Sequence, residues 1–459
     1  MFRITSPTQE FRMNRPLALG AALAVLSGAA LTAAVGAGAA SATNASAPGA
    51  SDSSCLWFGP TFTADDTELN YAFPDSGALY WAAHFSIPDG AKLTLEGEFA
   101  HARYQSLNSY NTANYTPIDA LNDVNTAPDA GSRNPYLPGA RRAGDAHRSY
   151  EVAVTDAPAP APGSPRPQNT LYAGAQGQET QLLIYRLYLP DNGRDVTGGA
   201  GLPEPRLTLA DGTELAGDAA CAAIESTLKT PVLSTVPRAT YDALRNQPGK
   251  PATFPAEETV VWRAYYNSQF TFACAYRGAC GGNPVRVGGQ YSNIDNNYVS
   301  AYINRGFGKV LTLRGKLPVT PQTLKRRPFM DARVDMRYWS LCSNESSATT
   351  RVEACAYDEQ VPTDRNGNYT IVVSRAEDRP ANARPACGVA WIAWPENGDG
   401  AGHLDDGFLI MRNMMPSAGF GHAVQKTTTP GDEKQVMGDY LPGSDYSSVS
   451  EFEGTGCQA

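Results

Sequence analysis

This 459-residue sequence predicts a mainly β protein built as two copies of one sandwich-like domain and stapled by disulfides. Three observations carry that prediction. An internal repeat runs through the chain, its repeated blocks have strand composition, and its eight cysteines form an even set.

The repeat decides the architecture. Tyr80, Ala83, Gly90, Leu93, Thr94, Leu95 and Gly97 match Tyr298, Ala301, Gly308, Leu311, Thr312, Leu313 and Gly315 at one constant offset. Arg103, Tyr104, Ser106 and Leu107 then match Arg337, Tyr338, Ser340 and Leu341. SYEVAV (149–154) parallels NYTIVV (368–373), and LLIYRLYLP (182–190) parallels FLIMRNMMP (408–416), which places Arg186 over Arg412. Blocks this short, rich in Val, Ile, Leu, Thr and Tyr and bounded by Gly, Pro, Asn or Asp, have the signature of strands in a sandwich or barrel. Forty-three glycines and 34 prolines supply the turns.

The repeat sets the domain limits at 55–225 and 258–457, with a helical and proline-rich connector over 226–257. A short helix is expected at 239–246, and the boundary itself at 247–257. The proline tract 156–169 resembles an interdomain linker. Its counterpart 374–385 lies at the same point of the second copy, so both are expected to be loops inside a domain.

The amino terminus reads as an export signal over 1–42. Arg3, Arg12 and Arg15 precede a long uncharged Ala/Leu/Val/Gly run, which ends in small-residue cleavage spacing at Ala40-Ser41-Ala42 and Ala45-Ser46-Ala47. A retained membrane anchor is the alternative, because the run is long enough to span a bilayer, but its Gly and Ala content makes it a poor one. A disordered stretch, 43–54, is expected to follow, and the mature protein to be secreted or held in the cell envelope with no stable membrane span.

The cysteines agree with export. Of the roughly 105 pairings open to eight cysteines, the local choices are Cys274 with Cys280 and Cys342 with Cys355. Cys55 with Cys221 and Cys387 with Cys457 then close the two halves. A zinc site is disfavoured, since CxxC is absent and the five histidines are scattered. The net charge of −9 without a long basic run excludes a nucleic-acid footprint.

The Arg337-Tyr338-Trp339-Ser340-Leu341 block and the later Leu-Ile-x-Arg-x-x-x-Pro block resemble domain-of-unknown-function family 1214, which implies a jelly-roll type of β-sandwich. Residues 260–440, through MRYWSLCSNES, YTIVVSRAEDRPANARPACGVAW and GDGAGHLDDGFLIMRNMMP, are also similar to exported actinobacterial proteins with no assigned activity. Neither resemblance implies a catalytic mechanism. The first copy carries Gln105 where the pattern has tryptophan.

Ser340 is read as a packing residue, since it lies mid-strand without the glycines of a nucleophile elbow and recurs as Ser106. Its face, with Tyr338 and Cys342, is expected to point inward, its hydroxyl serving a backbone group. The face with Arg337 and Trp339 is expected to be partly exposed and to contact ligand. Arg186 and Arg412 interrupt apolar strands; they are read first as structural arginines and second as an anion or sugar-carboxylate clamp. Arg412 is kept as a candidate ligand contact, together with Tyr110 and Tyr115 of a polar surface loop. Asp399, Asp405 and Asp406, beside His403 in a loop found only in the second copy, are candidate calcium ligands; no other cofactor is expected.

These features point to an exported binding or structural protein for a glycan or small apolar ligand. The rival is a secreted carbohydrate-active hydrolase with carboxylates in a cleft between the copies. The residues that would catalyse, and the oligomeric state, are left unassigned.

Overall fold

Each copy of the repeat forms two packed sheets in the computed structural model, which describes residues 54–140, 142, 144, 146–233, 236–247, 253–325 and 333–457. The expected export signal, nearly all of the expected disordered stretch and part of the boundary 247–257 lie outside these residues. Among the described residues, no helix is long and apolar enough to cross a membrane.

The first copy contains β1 (Phe58–Thr61), β2 (Ala78–Phe85), β3 (Lys92–Glu98), β4 (Ala102–Tyr110), β5 (Pro117–Asn122), β6 (Ser149–Thr155), β7 (Thr170–Tyr172), β8 (Gln181–Pro190), β9 (Glu204–Thr208) and β10 (Glu214–Ala216). The helix α1 (Gly217–Ala223) closes it, and α2 (Arg238–Arg245) lies in the connector. The second copy begins with β11 (Arg263–Ala264) and α3 (Ser268–Arg277). It continues with β12 (Asn296–Asn304), β13 (Val310–Lys316), β14 (Met336–Asn344), β15 (Val352–Tyr357), β16 (Asn368–Ser374), β17 (Val389–Ala393), β18 (Asp406–Pro416) and β19 (Gly443–Ser447).

The two copies share one strand order. One sheet runs β1-β2-β8-β4-β5 in the first copy and β11-β12-β18-β14-β15 in the second. The other runs β10-β9-β3-β6-β7 and, without a counterpart of β10, β19-β13-β16-β17. Strand pairs are antiparallel apart from β6 with β7 and β16 with β17. The two proline-rich tracts lie between those parallel partners, inside their domains.

A repeated glycine shows why the blocks recur. Gly97 faces Tyr150 across β3 and β6, and Gly315 faces Tyr369 across β13 and β16. The neighbouring tyrosine ring covers each glycine so closely that a Cβ would lie 2.7 Å from it in the first copy and 3.0 Å in the second. Ring and glycine thus form one packing unit, present twice.

Alternation along β8 builds two interiors. Leu183, Tyr185 and Leu187 enter the first sandwich core, where they meet Leu95 and Val152 of the opposite sheet. Leu182, Ile184 and Tyr188 face outward into a further buried cluster with Tyr338 and Met414 of the second copy. The outer faces of the two matching five-stranded sheets therefore pack on each other. This explains why β4 and β14 are buried along their whole length.

It also corrects the expected faces of β14. Trp339 is 1% exposed and belongs with Leu341 to the second sandwich core, where it packs on Tyr369. Tyr338 and Ser340 face the first copy instead.

The four disulfides are Cys55–Cys221, Cys274–Cys280, Cys342–Cys355 and Cys387–Cys457. Cys55–Cys221 ties the two ends of the first copy together, Cys387–Cys457 ties the carboxyl-terminal end of the second copy to the turn before β17, and Cys342–Cys355 crosses the β14–β15 pair.

Candidate ligand cavity between the sandwiches

A cavity of about 700 Å³ is lined by residues from the outer sheet faces of both copies. Its floor takes Tyr80 and Tyr188 from the first copy and Tyr298, Ser300 and Ile410 from the second. One side of the wall is the segment around Phe73, which is tacked to the second copy by Phe73 N–H donating to the Thr350 carbonyl at 2.8 Å. The connector helix α2 adds Thr240 and Leu244, and α3 adds Phe272 and Ala273.

Local sequence fixes α3. The Asn267 side chain accepts from the Phe270 N–H at 2.8 Å, and Gly278 ends the helix in the left-handed conformation at φ 70°. Cys274–Cys280 holds that end.

The lining has a clear charge pattern. Arg186, Arg277 and Arg412 line the cavity, and no Asp or Glu is among the described lining residues. Arg186 and Arg412 are equivalent in the repeat and sit in equivalent triads. Tyr80, Arg186 and Ser106 lie side by side across β2, β8 and β4; Tyr298, Arg412 and Ser340 do so across β12, β18 and β14. Each guanidinium lies near its tyrosine ring, 5.0 Å from the Tyr80 centroid and 5.9 Å from that of Tyr298. Burial pushes the Tyr80 phenol up to about 12 and Asp75 adds to the rise, while Arg186 and Arg412 both oppose it.

The two arginines differ in their counter-charge. Arg412 donates to the Phe73 carbonyl at 2.6 Å, lies against Cys342 Sγ, and has Nε 3.6 Å from the Asp75 carboxylate. Arg186 uses Nη2, which donates to Tyr110 Oη at 2.5 Å and to the Tyr291 carbonyl. Its Nε is buried without a partner, and no carboxylate among the described residues pairs with it. The repeat supplies the reason. Asp75 corresponds to Asn293 at the constant offset of the repeat. Tyr338 Oη donates to Asp75 at 2.7 Å, whereas its equivalent Tyr104 Oη donates to Asp295 at 2.7 Å and accepts from Asn293 Nδ2 at 3.1 Å. The position that carries a carboxylate on one side carries an amide on the other.

The other sequence candidates divide clearly. Tyr110 is not on a surface loop; it is fully buried as the hydroxyl partner of Arg186. Tyr115, half-buried, stacks on Tyr291 of the cavity wall with centroids 5.1 Å apart. Trp339 and Arg337 lie away from the lining. Arg337 is 1% exposed and ion-paired with Asp123 at 2.9 Å, so it joins the copies rather than meeting ligand. Ser340 Oγ donates to the Asp75 carboxylate at 2.6 Å, a charged acceptor instead of the expected backbone group.

Of the three candidate calcium ligands, the structure brings two together. Asp399, His403 and Asp406 do cluster, but Asp405 stands apart, with its side chain 59% exposed beside Arg305. Asp399 accepts from Tyr241 Oη at 2.9 Å and interacts with His403 Nδ1 at 2.6 Å. Asp406 accepts from Arg245 Nε at 2.6 Å and from Asn304 at 2.8 Å. These donors tie the loop to α2 through Tyr241 and Arg245.

Tyr80 and Tyr298, the first matched pair of the repeat, were the signal for this cavity that sequence reasoning left unused. The walls from α2 and α3 had no such signal, because α2 belongs to the connector and α3 has no counterpart among the described residues of the first copy.

No protein-family model matches the chain, and no curated protein matches it. Among solved structures, an uncharacterized protein from Burkholderia cenocepacia is 11% identical, with 85% of this chain and 81% of that one covered at a TM-score of 0.43. A protein from Vibrio parahaemolyticus is also 11% identical, with 81% and 89% covered at a TM-score of 0.37.

Proposed function

We propose that this chain is an exported binding protein that holds a small, largely apolar molecule between its two sandwiches. The observation that carries this reading is the cavity itself. At about 700 Å³ it falls in the size range of small-molecule sites, and aromatic rings with a few convergent polar groups form its walls. The absence of acids from its described lining disfavours a glycosidase, which needs two carboxylates facing one bond. The four disulfides suit a protein working in an oxidising compartment.

The test uses a neutral fluorescent probe, N-phenyl-1-naphthylamine, with the purified full chain. Saturable binding at one probe per chain is expected. Thr240→Trp, which places an indole on the exposed cavity side of α2, should weaken it at least tenfold while the circular-dichroism spectrum stays unchanged. Equal binding by the variant, or no saturation in the parent, would refute the proposal.

A further inference from the structure

We infer that the ligand carries an oxyanion head group, a carboxylate or a phosphate on an apolar body, and that Arg186 receives it. The inference rests on the cavity being the binding site, and it adds the chemical class of what enters.

An arginine remains charged even when buried, so its charge requires compensation. Arg186 is 5% exposed, and its partners are a phenol and a carbonyl, both neutral. Its equivalent shows what full compensation looks like here, since Asp75 stands 3.6 Å from Arg412. At the matching position beside Arg186 the chain has Asn293, held in the same local geometry: Asp295 N–H donates to Asn293 Oδ1 at 3.0 Å, as Gly77 N–H donates to Asp75 Oδ1 at 2.9 Å. The carboxylate on the Asn293 segment, Asp295, is engaged instead by Tyr104 Oη at 2.7 Å and Asn122 Nδ2 at 2.9 Å, so the residue equivalent to the counter-charge of Arg412 is a neutral amide. Arg186 lies on the wall of a cavity with no acid in its described lining, and its Nε is buried and unpartnered. An anionic group entering with the ligand supplies the missing charge and accepts the unused hydrogen bonds.

The apolar remainder of the wall excludes a bare inorganic anion as the best occupant. Phe73, Phe272 and Ile410 offer no polar atom to a hydrated ion, whereas a hydrocarbon or aromatic body fits them.

The experiment measures displacement of N-phenyl-1-naphthylamine by four molecules sharing one tail: dodecanoate, dodecyl phosphate, dodecanol and dodecylamine. At least one oxyanion should displace the probe at a concentration at least tenfold below that needed for dodecanol, with dodecylamine weakest. Whichever of dodecanoate and dodecyl phosphate is tighter identifies the head group. Arg186→Gln should bring the oxyanions down to the level of dodecanol. Should that variant fail to fold, Asn293→Asp gives an independent check: it places a carboxylate beside Arg186 and should remove the same preference while neutral-probe binding persists. If dodecanol competes as well as both oxyanions in the parent chain, the head-group inference fails and the cavity proposal stands. If the probe itself does not bind, the cavity proposal fails first.

Discussion

Arg337 Nη1 lies 2.9 Å from the carboxylate of Asp123, and the two side chains belong to different copies of the repeat. Arg103 and Asp358 make the reciprocal pair at 2.6 Å. Arg103 corresponds to Arg337, and Asp123 to Asp358, so residue and partner exchange roles across the interface. Even the backbone joins in: Gln105 N–H donates to Asp123, and Trp339 N–H to Asp358, each at 3.0 Å. This is the self-complementary pattern of a two-fold homodimer, realised inside one chain. Both pairs are fully desolvated, and they fix which faces of the two sandwiches meet.

Breaking such a pair on one side leaves a charge stranded. Arg337→Met should destabilise the protein by about 3–5 kcal/mol, because the buried Asp123 carboxylate loses its cation. Adding Asp123→Asn removes that stranded charge and keeps an acceptor for Gln105, so the double variant should recover a substantial part of the loss. Urea unfolding of the three proteins measures this; strictly additive losses would show that the two residues do not act as a pair.

The same carboxylates predict a pH dependence. Burial raises the Asp123 carboxyl from 3.8 to about 6, against the opposing pull of Arg337; burial also raises Asp358, against Arg103. A raised acid binds its proton more tightly in the folded than in the unfolded state. Its contribution is therefore fully present below 3.8 and is lost as pH rises to about 6. The parent should lose stability relative to Asp123→Asn across that window, by on the order of 1–3 kcal/mol. Parallel stability curves for the two proteins from about pH 4 to pH 6.5 would contradict this.

Ser340 is placed to stabilise rather than to react. Its hydroxyl donates to Asp75 at 2.6 Å, and Asp75 also receives Tyr338 Oη and the Gly77 N–H. With a charged acceptor, Ser340→Ala should cost about 1.5–3 kcal/mol in chemical denaturation. An unchanged unfolding midpoint would show that this hydrogen bond adds nothing to the fold.

Much of this was legible in the sequence, and the failures share one physical origin. Strand periodicity and the repeat located the sheets, and cysteine spacing led to the disulfide pairs. The faces of β14 were reversed because alternation in an isolated sandwich leaves one side toward water. Here the second side is covered by the other copy, and that contact links residues more than 200 positions apart, such as Ser340 and Asp75. Arg186 and Arg412 stood out as charges in apolar strands, but their sequence neighbours do not reveal that only one has a counter-charge. That asymmetry lies in Asp75 and Asn293, upstream of the matched blocks. Helix α3 went unread because FTFACAY has strand-like composition; its caps, Asn267 and Gly278, were the available signal.

The anchoring of α2 leads to a kinetic prediction. Val236, Pro237, Thr240 and Leu244 form one wall of the cavity, so ligand exchange should depend on how firmly this segment is held. It is held at its far face, where Tyr241 Oη donates to Asp399 at 2.9 Å and Arg245 pairs with Asp406 at 2.6 Å. Tyr241→Phe removes one buried hydrogen bond to a carboxylate that keeps other donors, including the Ala401 N–H at 2.7 Å. The fold should lose about 1–2 kcal/mol, while the cavity lining stays chemically intact. Hydrogen exchange should accelerate in α2 without changing in β8 or β18, since local opening follows local stability. Stopped-flow dissociation of N-phenyl-1-naphthylamine should speed up several-fold with a proportionally faster association, leaving the affinity within about twofold. Faster exchange in α2 with an unchanged dissociation rate would mean that the ligand leaves by another wall, and the segment around Phe73 would be the next to test.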